Sequence, residues 1–246
     1  MVSAALGLHL LGSFPTHADT NPLITDRPDF TESAATVTEG RFQVEGGVTA
    51  ERTENETAWT AGELLLRVGL AERLELRVSA PSHLSGPGPD GFADGGVGAK
   101  FLLVPEARGF RPATAVIVAT SLPSGEAPFR STSWQPETKL CLAWDVADGI
   151  GLAANLNYGR PAEDGRRFDE ISASLSVAVE LAPQWGGYLE WFGFSREAPG
   201  GDATNYLNTG VTYLVHDDFQ LDARIGAGLG GDTADFFAGL GAAVRF

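Results

Sequence analysis

From Gly40 to Phe246 the apolar side chains fall on every second residue, in one segment after another. Period 2 is the mark of a strand with two unlike faces, because successive Cβ atoms point to opposite sides. Twelve such segments can be counted. The first carries Phe42, Val44, Val48 and Ala50; the last carries Phe236, Ala238, Leu240, Ala242, Val244 and Phe246. Only the fifth, near residues 112–121, is apolar on both faces, so its phase stays open. Repetition on this scale excludes a helical fold. The 31 glycines of the 246-residue chain suit short, closely packed strands.

The connections alternate too. After every even strand they are short, around Ala71-Glu72, Pro105 to Arg108, Ala147-Asp148, Ala182-Pro183 and His216-Asp217. After every odd strand they read as longer, as in Ser82 to Ala93, Leu122 to Ser133 and Ser195 to Ala203. Bacterial barrels have short periplasmic turns and longer external loops. A soluble sandwich has no reason to sort its loops. Most segments run about 9–12 residues, and a tilted membrane strand needs about 9–11. Residues 40–246 are therefore predicted to form a closed antiparallel up-and-down transmembrane β-barrel of about twelve strands. An even number puts both barrel ends on the periplasmic side.

The second face separates lipid from water. Opposite the apolar set stand Glu45, Glu63, Arg67, Glu75, Arg77, Lys100, Lys139, Glu180, Glu190, Asp222, Arg224 and Arg245, with Ser, Asn, Thr and Gly between them. A central Lys or Arg facing lipid would cost about 2–4 kcal/mol. These twelve are thus expected to line the lumen, where six acids and six bases can pair. The net charge of −15 then belongs mostly to the loops and the N-terminal part. Trp144, Trp185, Tyr213, Phe219 and Phe246 sort to the short-turn end, and Tyr158, Trp191 and Phe236 to the other, as two interfacial girdles would.

Residues 1–18 read as a secretory signal peptide, apolar from Val2 to Phe14 and closed by Thr16-His17-Ala18, although the usual basic start is missing. Residues 19–39 are then periplasmic. They form an ordinary tail, or they enter the lumen and pair with it through Asp26, Arg27 and Asp29 as a plug. Phe246 ends the last alternating strand and is expected to act as an assembly signal.

The stretch Thr25-Asp26-Arg27-Pro28-Asp29-Phe30-Thr31-Glu32-Ser33 is followed by Glu39-Gly40-Arg41-Phe42-Gln43-Val44-Glu45, later by Ser121-Leu122-Pro123-Ser124-Gly125, and at the close by Gly239-Leu240-Gly241-Ala242-Ala243-Val244-Arg245-Phe246. Over roughly residues 24–246 this resembles the family of transporters named for the meta-pathway of phenol degradation. Where the family commonly has Pro-Thr-Gly, this chain has Pro123-Ser124-Gly125. The resemblance implies a barrel in the outer membrane of a Gram-negative bacterium, with lipid and the barrel assembly machinery as partners. It links the chain loosely to aromatic solutes.

Other chemistries find little support. The acidic balance argues against nucleic acid. The one cysteine, Cys141, permits no internal disulfide and no cysteine zinc site. Gly226-Ala227-Gly228-Leu229-Gly230-Gly231 fits a dinucleotide fingerprint, but a loop and a strand follow it where a helix is required. Asn55-Glu56-Thr57 reads as a loop. The acidic stretch around Asp90, Asp94 and Gly95 lacks EF-hand spacing. Of the predicted mature chain's histidines, His83 and His216 fall at opposite barrel ends, so no nucleophile–base pair forms. No catalytic residue, metal ligand or cofactor is expected. The sequence supports passive passage of small solutes, hydrophobic or aromatic ones among them; the competing readings are a non-conducting structural or binding β-barrel and a soluble β-barrel or sandwich.

Overall fold

A computed structural model describes residues 21–163, 165–230 and 233–246; the signal-peptide reading of residues 1–18 lies outside them. Among the described residues, twelve strands build the wall. They are β1 Phe42–Thr53, β2 Glu56–Ala71, β3 Leu74–Ser79, β4 Gly96–Val104, β5 Ala113–Ser121 and β6 Gln135–Ala147, then β7 Ile150–Gly159, β8 Glu170–Ala182, β9 Trp185–Phe194, β10 Thr204–His216, β11 Phe219–Gly228 and β12 Phe236–Arg245. Each pairs antiparallel with its neighbour in sequence, and β12 returns to β1. Closure leaves no edge strand with unpaired backbone groups, the condition for crossing hydrocarbon with strands. At the seam Val44 faces Val244 and Val48 faces Leu240. Below them the Phe246 amide donates to Phe42 O (2.8 Å), and the two rings stack with centroids 4.8 Å apart.

The faces are sorted inside out. Leu70, Leu103, Leu156, Leu175, Leu189, Leu221 and Leu240 stand exposed on the outer wall, whereas Glu45, Arg67, Glu75, Lys100, Glu190 and Asn208 are almost wholly buried. In water this would expose apolar area far beyond what soluble monomers carry. In a bilayer the same surface is simply solvated by lipid, and the barrel is an outer-membrane barrel. Trp185 and Tyr213, paired across β9 and β10, pack at 4.7 Å at the short-turn end.

Loop sorting departs from expectation twice. The β1–β2 connection is a two-residue turn, Glu54-Asn55, not a long loop. Length has gone into the strands themselves, 12 and 16 residues long, which rise past the ~9–11 a membrane requires. Conversely, the β4–β5 connection expected at Pro105 to Arg108 runs on to Pro112. β3 is also shorter than read, six residues ending at Ser79. Its chain bends at Ala80-Pro81-Ser82, where proline has no amide for the ladder. It then resumes as His83–Ser85, paired with β2 and with Gly91–Phe92. β2 bends at the same level, with positive φ at Gly62 and Glu63.

The fifth strand's phase is now assigned. Ala115 and Ile117 point inward and are fully buried, while Val118 is exposed on the outer face. Its inner face is apolar because Ala34 of the N-terminal segment packs there, together with Cys141.

Candidate functional site

The lumen is occupied by the chain's own residues 21–39. The segment enters at the short-turn end, where the Leu23 amide donates to Asp217 O (2.8 Å). It rises to Phe30 and Thr31, whose amides both donate to the Glu190 carboxylate (2.9 and 2.7 Å). It then descends, the Val37 amide donating to Glu75 (2.8 Å), and joins the wall where the Gly40 amide donates to Gly69 O. Rising and descending arms are tied by the Ser33 amide and hydroxyl, both donating to Asp26 Oδ1.

Charge explains why it sits there. Arg67, Arg77, Lys100 and Lys139, on β2, β3, β4 and β6, form one wall group with Glu45, Glu75 and, 3.7 Å from Lys139, Glu137, an excess of one cation. The segment supplies two carboxylates. Asp26 lies 3.4 Å from Arg67, 2.6 Å from Arg77 and 3.0 Å from Lys100. Glu32 lies 2.7 Å from Arg77 and 2.6 Å from Lys139. Buried ions are tolerable only when paired and hydrogen-bonded. Accordingly, Arg67 holds Glu75 through two nitrogens and also donates to Glu45, and Lys100 donates further to Ser33 O and Ala35 O.

An adjoining group, on β2 and across the seam on β11, is the mirror case. Glu63 and Asp222 outnumber Arg224 by one, and Arg27 completes the balance at 2.8 Å from Glu63 and 3.4 Å from Asp222. Consecutive residues Asp26 and Arg27 thus reach adjoining wall groups of unlike sign. Arg27 lies flat over a bare stretch at the seam, where Gly47 on β1 is paired with Gly241 on β12. A Cβ at Gly47 would stand 2.3 Å from Arg27 Nη2, and one at Gly241 2.4 Å from Arg27 Nε. Asp29 sits beside Glu190 and Ser176.

Of the twelve residues expected in the lumen, Glu45, Glu63, Arg67, Glu75, Arg77, Lys100, Lys139, Asp222 and Arg224 meet in these two groups, and Glu190 holds the segment's crest. Two stand apart. Arg245 lies lower, against Asp218 (2.7 Å) and Asn21 O (2.8 Å). Glu180 keeps the inward phase but is exposed at the short-turn rim beside Gly149, where the barrel mouth is open to solvent. Sequence reasoning missed Glu32, and it missed a lumenal aromatic group, Phe30, Phe192, Phe194, Tyr206 and Phe237. The signal for two of these was present in Trp191-Phe192 and Phe236-Phe237, since adjacent rings on a strand must face opposite sides. Asp94 is engaged within the loops, accepting from the Gly125 amide (2.8 Å) and the Ser131 amide (2.9 Å). His83 packs on Phe92 at the long-loop end and His216 on Phe219 at the other.

Cavities remain on either side of the segment. A lower one of ≈ 680 Å³ lies between Ser33–Thr36 and the wall at Leu102, Ala113 and Ala143. An upper one of ≈ 350 Å³ is bounded by Glu32, Arg77, Ile117 and Ala119 of the lumen, and also by Leu64 and Val97 of the outer face. It lies where β2 and the β3–β4 hairpin bend together.

The fold is shared with known barrels. The COG4313 outer membrane channel from Pseudomonas putida F1 is 13% identical, with a TM-score of 0.63, over 86% of this chain and 97% of that one. The NanC porin is 9% identical (TM-score 0.57; 82% and 98% covered), and the KdgM porin 13% (0.53; 83% and 99%). No curated protein matches by sequence. Residues 25–246 match the family model described as "Putative MetA-pathway of phenol degradation", a span that takes in most of the lumenal segment and the whole wall, and the chain belongs to that family.

Proposed function

We propose that this protein is an outer-membrane channel for small solutes, and that residues 21–39 are its plug. The observation that carries the reading is the position of Asp26, 2.6–3.4 Å from three wall cations in mid-lumen. Twelve strands enclose more space than the eight that side chains alone can fill, and less than the sixteen of an open aqueous pore. In such a bore a single looped segment is enough to close the path. Passage is passive and needs no catalytic group: solute moves when the segment shifts, between the cavities above and below it.

The upper cavity favours a side exit for apolar solutes. It is bounded by side chains of both faces, where the wall is interrupted at Ala80-Pro81-Ser82. A solute leaving there enters lipid without passing the charged groups beneath.

The test compares the full chain with a variant lacking residues 21–38, both reconstituted in liposomes and planar bilayers. The variant must first show the heat-dependent gel shift of a folded barrel. Its conductance and its swelling rate in small solutes are expected to exceed those of the full chain several-fold. A folded variant with conductance no higher than the full chain's excludes the plug. No flux from either excludes the channel and leaves a binding or structural barrel.

A further inference from the structure

We propose that the lumenal aromatic group is a binding slot for the neutral aromatic ring of a solute, and that Phe30 is its internal occupant. The inference rests on the channel reading and names the class of solute.

Phe30 stacks on Phe192 with centroids 4.7 Å apart and planes 14° apart, and Phe192 stacks in turn on Tyr206 at 4.8 Å and 11°. Phe194 closes the side of Phe30 edge-on at 5.3 Å. Phe237 packs beyond Tyr206, with the Arg224 guanidinium 5.7 Å above its ring. These wall rings come from three strands, β9, β10 and β12, at inward positions, where most of the lumen carries charge or small polar groups. β11 passes between β10 and β12 with a glycine. A Cβ at Gly226 would stand 2.3 Å from the Phe237 ring, so glycine is required for that ring to lie against the wall.

The wall rings belong to the barrel, but the top ring does not. Phe192, Tyr206 and Phe237 are 9%, 9% and 7% exposed, whereas Phe30 is only half-buried. The residue is fixed through its backbone, by the bond from its amide to Glu190, and its ring is held by stacking alone. A shift of the segment's crest would therefore vacate the slot and leave the flat face of Phe192 uncovered, with the wall unchanged. Flat faces at this spacing accept a planar ring in offset stacking. A solute ring and Phe30 cannot both be present, so binding and retention of the crest compete.

The rim sets the charge of the solute. Tyr206 donates its hydroxyl to Glu197 (2.7 Å), and the Thr204 hydroxyl donates to the same oxygen. The Glu197 carboxylate there repels benzoate or a phenolate and accepts from a hydroxyl donor. The slot fits a neutral ring bearing at most an alcohol or phenol.

An internal competitor weakens apparent affinity by the fraction of time the slot stands empty. Removing the competitor must therefore tighten binding, whereas removing a ring that merely supports the fold would not. The experiment titrates benzyl alcohol into the full-length protein in one detergent, following saturation transfer to the ligand. The proteins are wild type, Phe30→Ala, Phe30→Leu and the double variant Phe30→Ala/Phe192→Ala, each checked by heat-dependent gel shift. Both single variants are expected to bind about tenfold tighter than wild type; the double variant is expected to lose the gain, and benzoate and cyclohexylmethanol not to share it. No gain in a folded Phe30→Leu protein overturns the proposal, as does an equal gain for cyclohexylmethanol. Conductance of the same samples separates the two readings. Tight ring binding without conductance keeps the slot and removes the channel; conductance without the gain keeps the channel and removes the slot.

Discussion

Gly47 and Gly241 matter for what they lack. With no side chain on either, the Arg27 guanidinium can lie on the wall and reach Glu63 and Asp222 together. Gly241→Val removes that space outright, because its Cβ alone would stand 2.4 Å from Arg27 Nε. Breaking a buried pair by displacing one partner costs about 3–5 kcal/mol. The expected result is a folded barrel with conductance close to that of the variant lacking residues 21–38. Gly151→Ala is the control, since a Cβ there meets only Trp144 O, at 3.9 Å, and should change conductance little. If Gly241→Val conducts like wild type, Arg27 is no anchor. At this scale the sequence is half legible. The wall charges could be assigned to the inside because lipid forbids the alternative. The roles of Gly241 and Phe30 depend on which residues of the segment lie above them, and no local pattern carries that.

Strands were the most legible elements, because period 2 reports directly which face is wet. The fifth failed for a physical reason. It has no polar inner face, since Ala115 and Ile117 pack on Ala34 of a segment far away in sequence. Loops were less legible still. Asp90, Asp94 and Gly95 read as a solvated acidic stretch, yet Asp94 joins two long loops as the acceptor for Gly125 and Ser131. Burial works against its charge, but the Ser131 hydroxyl and the Gly125 amide together hold its carboxyl below the usual carboxylate value. A depressed folded-state pKa stabilises at pH above the unfolded value, and the contribution fades as pH falls through the folded value. The clasp should therefore persist at pH 4 and open only in stronger acid. Pepsin cleavage within residues 122–134 measures this: wild type should resist at pH 4 and be cut near pH 2, while Asp94→Ala should be cut at both. Equal resistance of the two proteins at pH 4 would remove Asp94 from the clasp.

Across the whole molecule, the segment acts as a two-sided counter-charge. One wall group is positive without it and the adjoining group negative, and neighbouring residues satisfy both. This organisation was partly visible beforehand, since six acids and six bases alternate with the apolar face. Their division into unlike groups was not, because it depends on strand order around the barrel and on which residues of the segment lie against them. The division has a consequence for ion flow. Neutralising the segment's acids with Asp26→Asn and Glu32→Gln leaves the four cations Arg67, Arg77, Lys100 and Lys139 opposed by three acids, Glu45, Glu75 and Glu137. Neutralising its base with Arg27→Gln leaves Glu63 and Asp222 opposed only by Arg224. Pore-lining charge of one sign favours the opposite ion. Across a KCl gradient in a planar bilayer, the first variant should shift the reversal potential toward anion selectivity relative to wild type, and the second toward cation selectivity. Raising the salt concentration should shrink both shifts, as screening requires. Two changes six residues apart at most, within one short segment, would then move selectivity in opposite directions. Shifts of the same sign would mean that permeating ions do not pass these two groups.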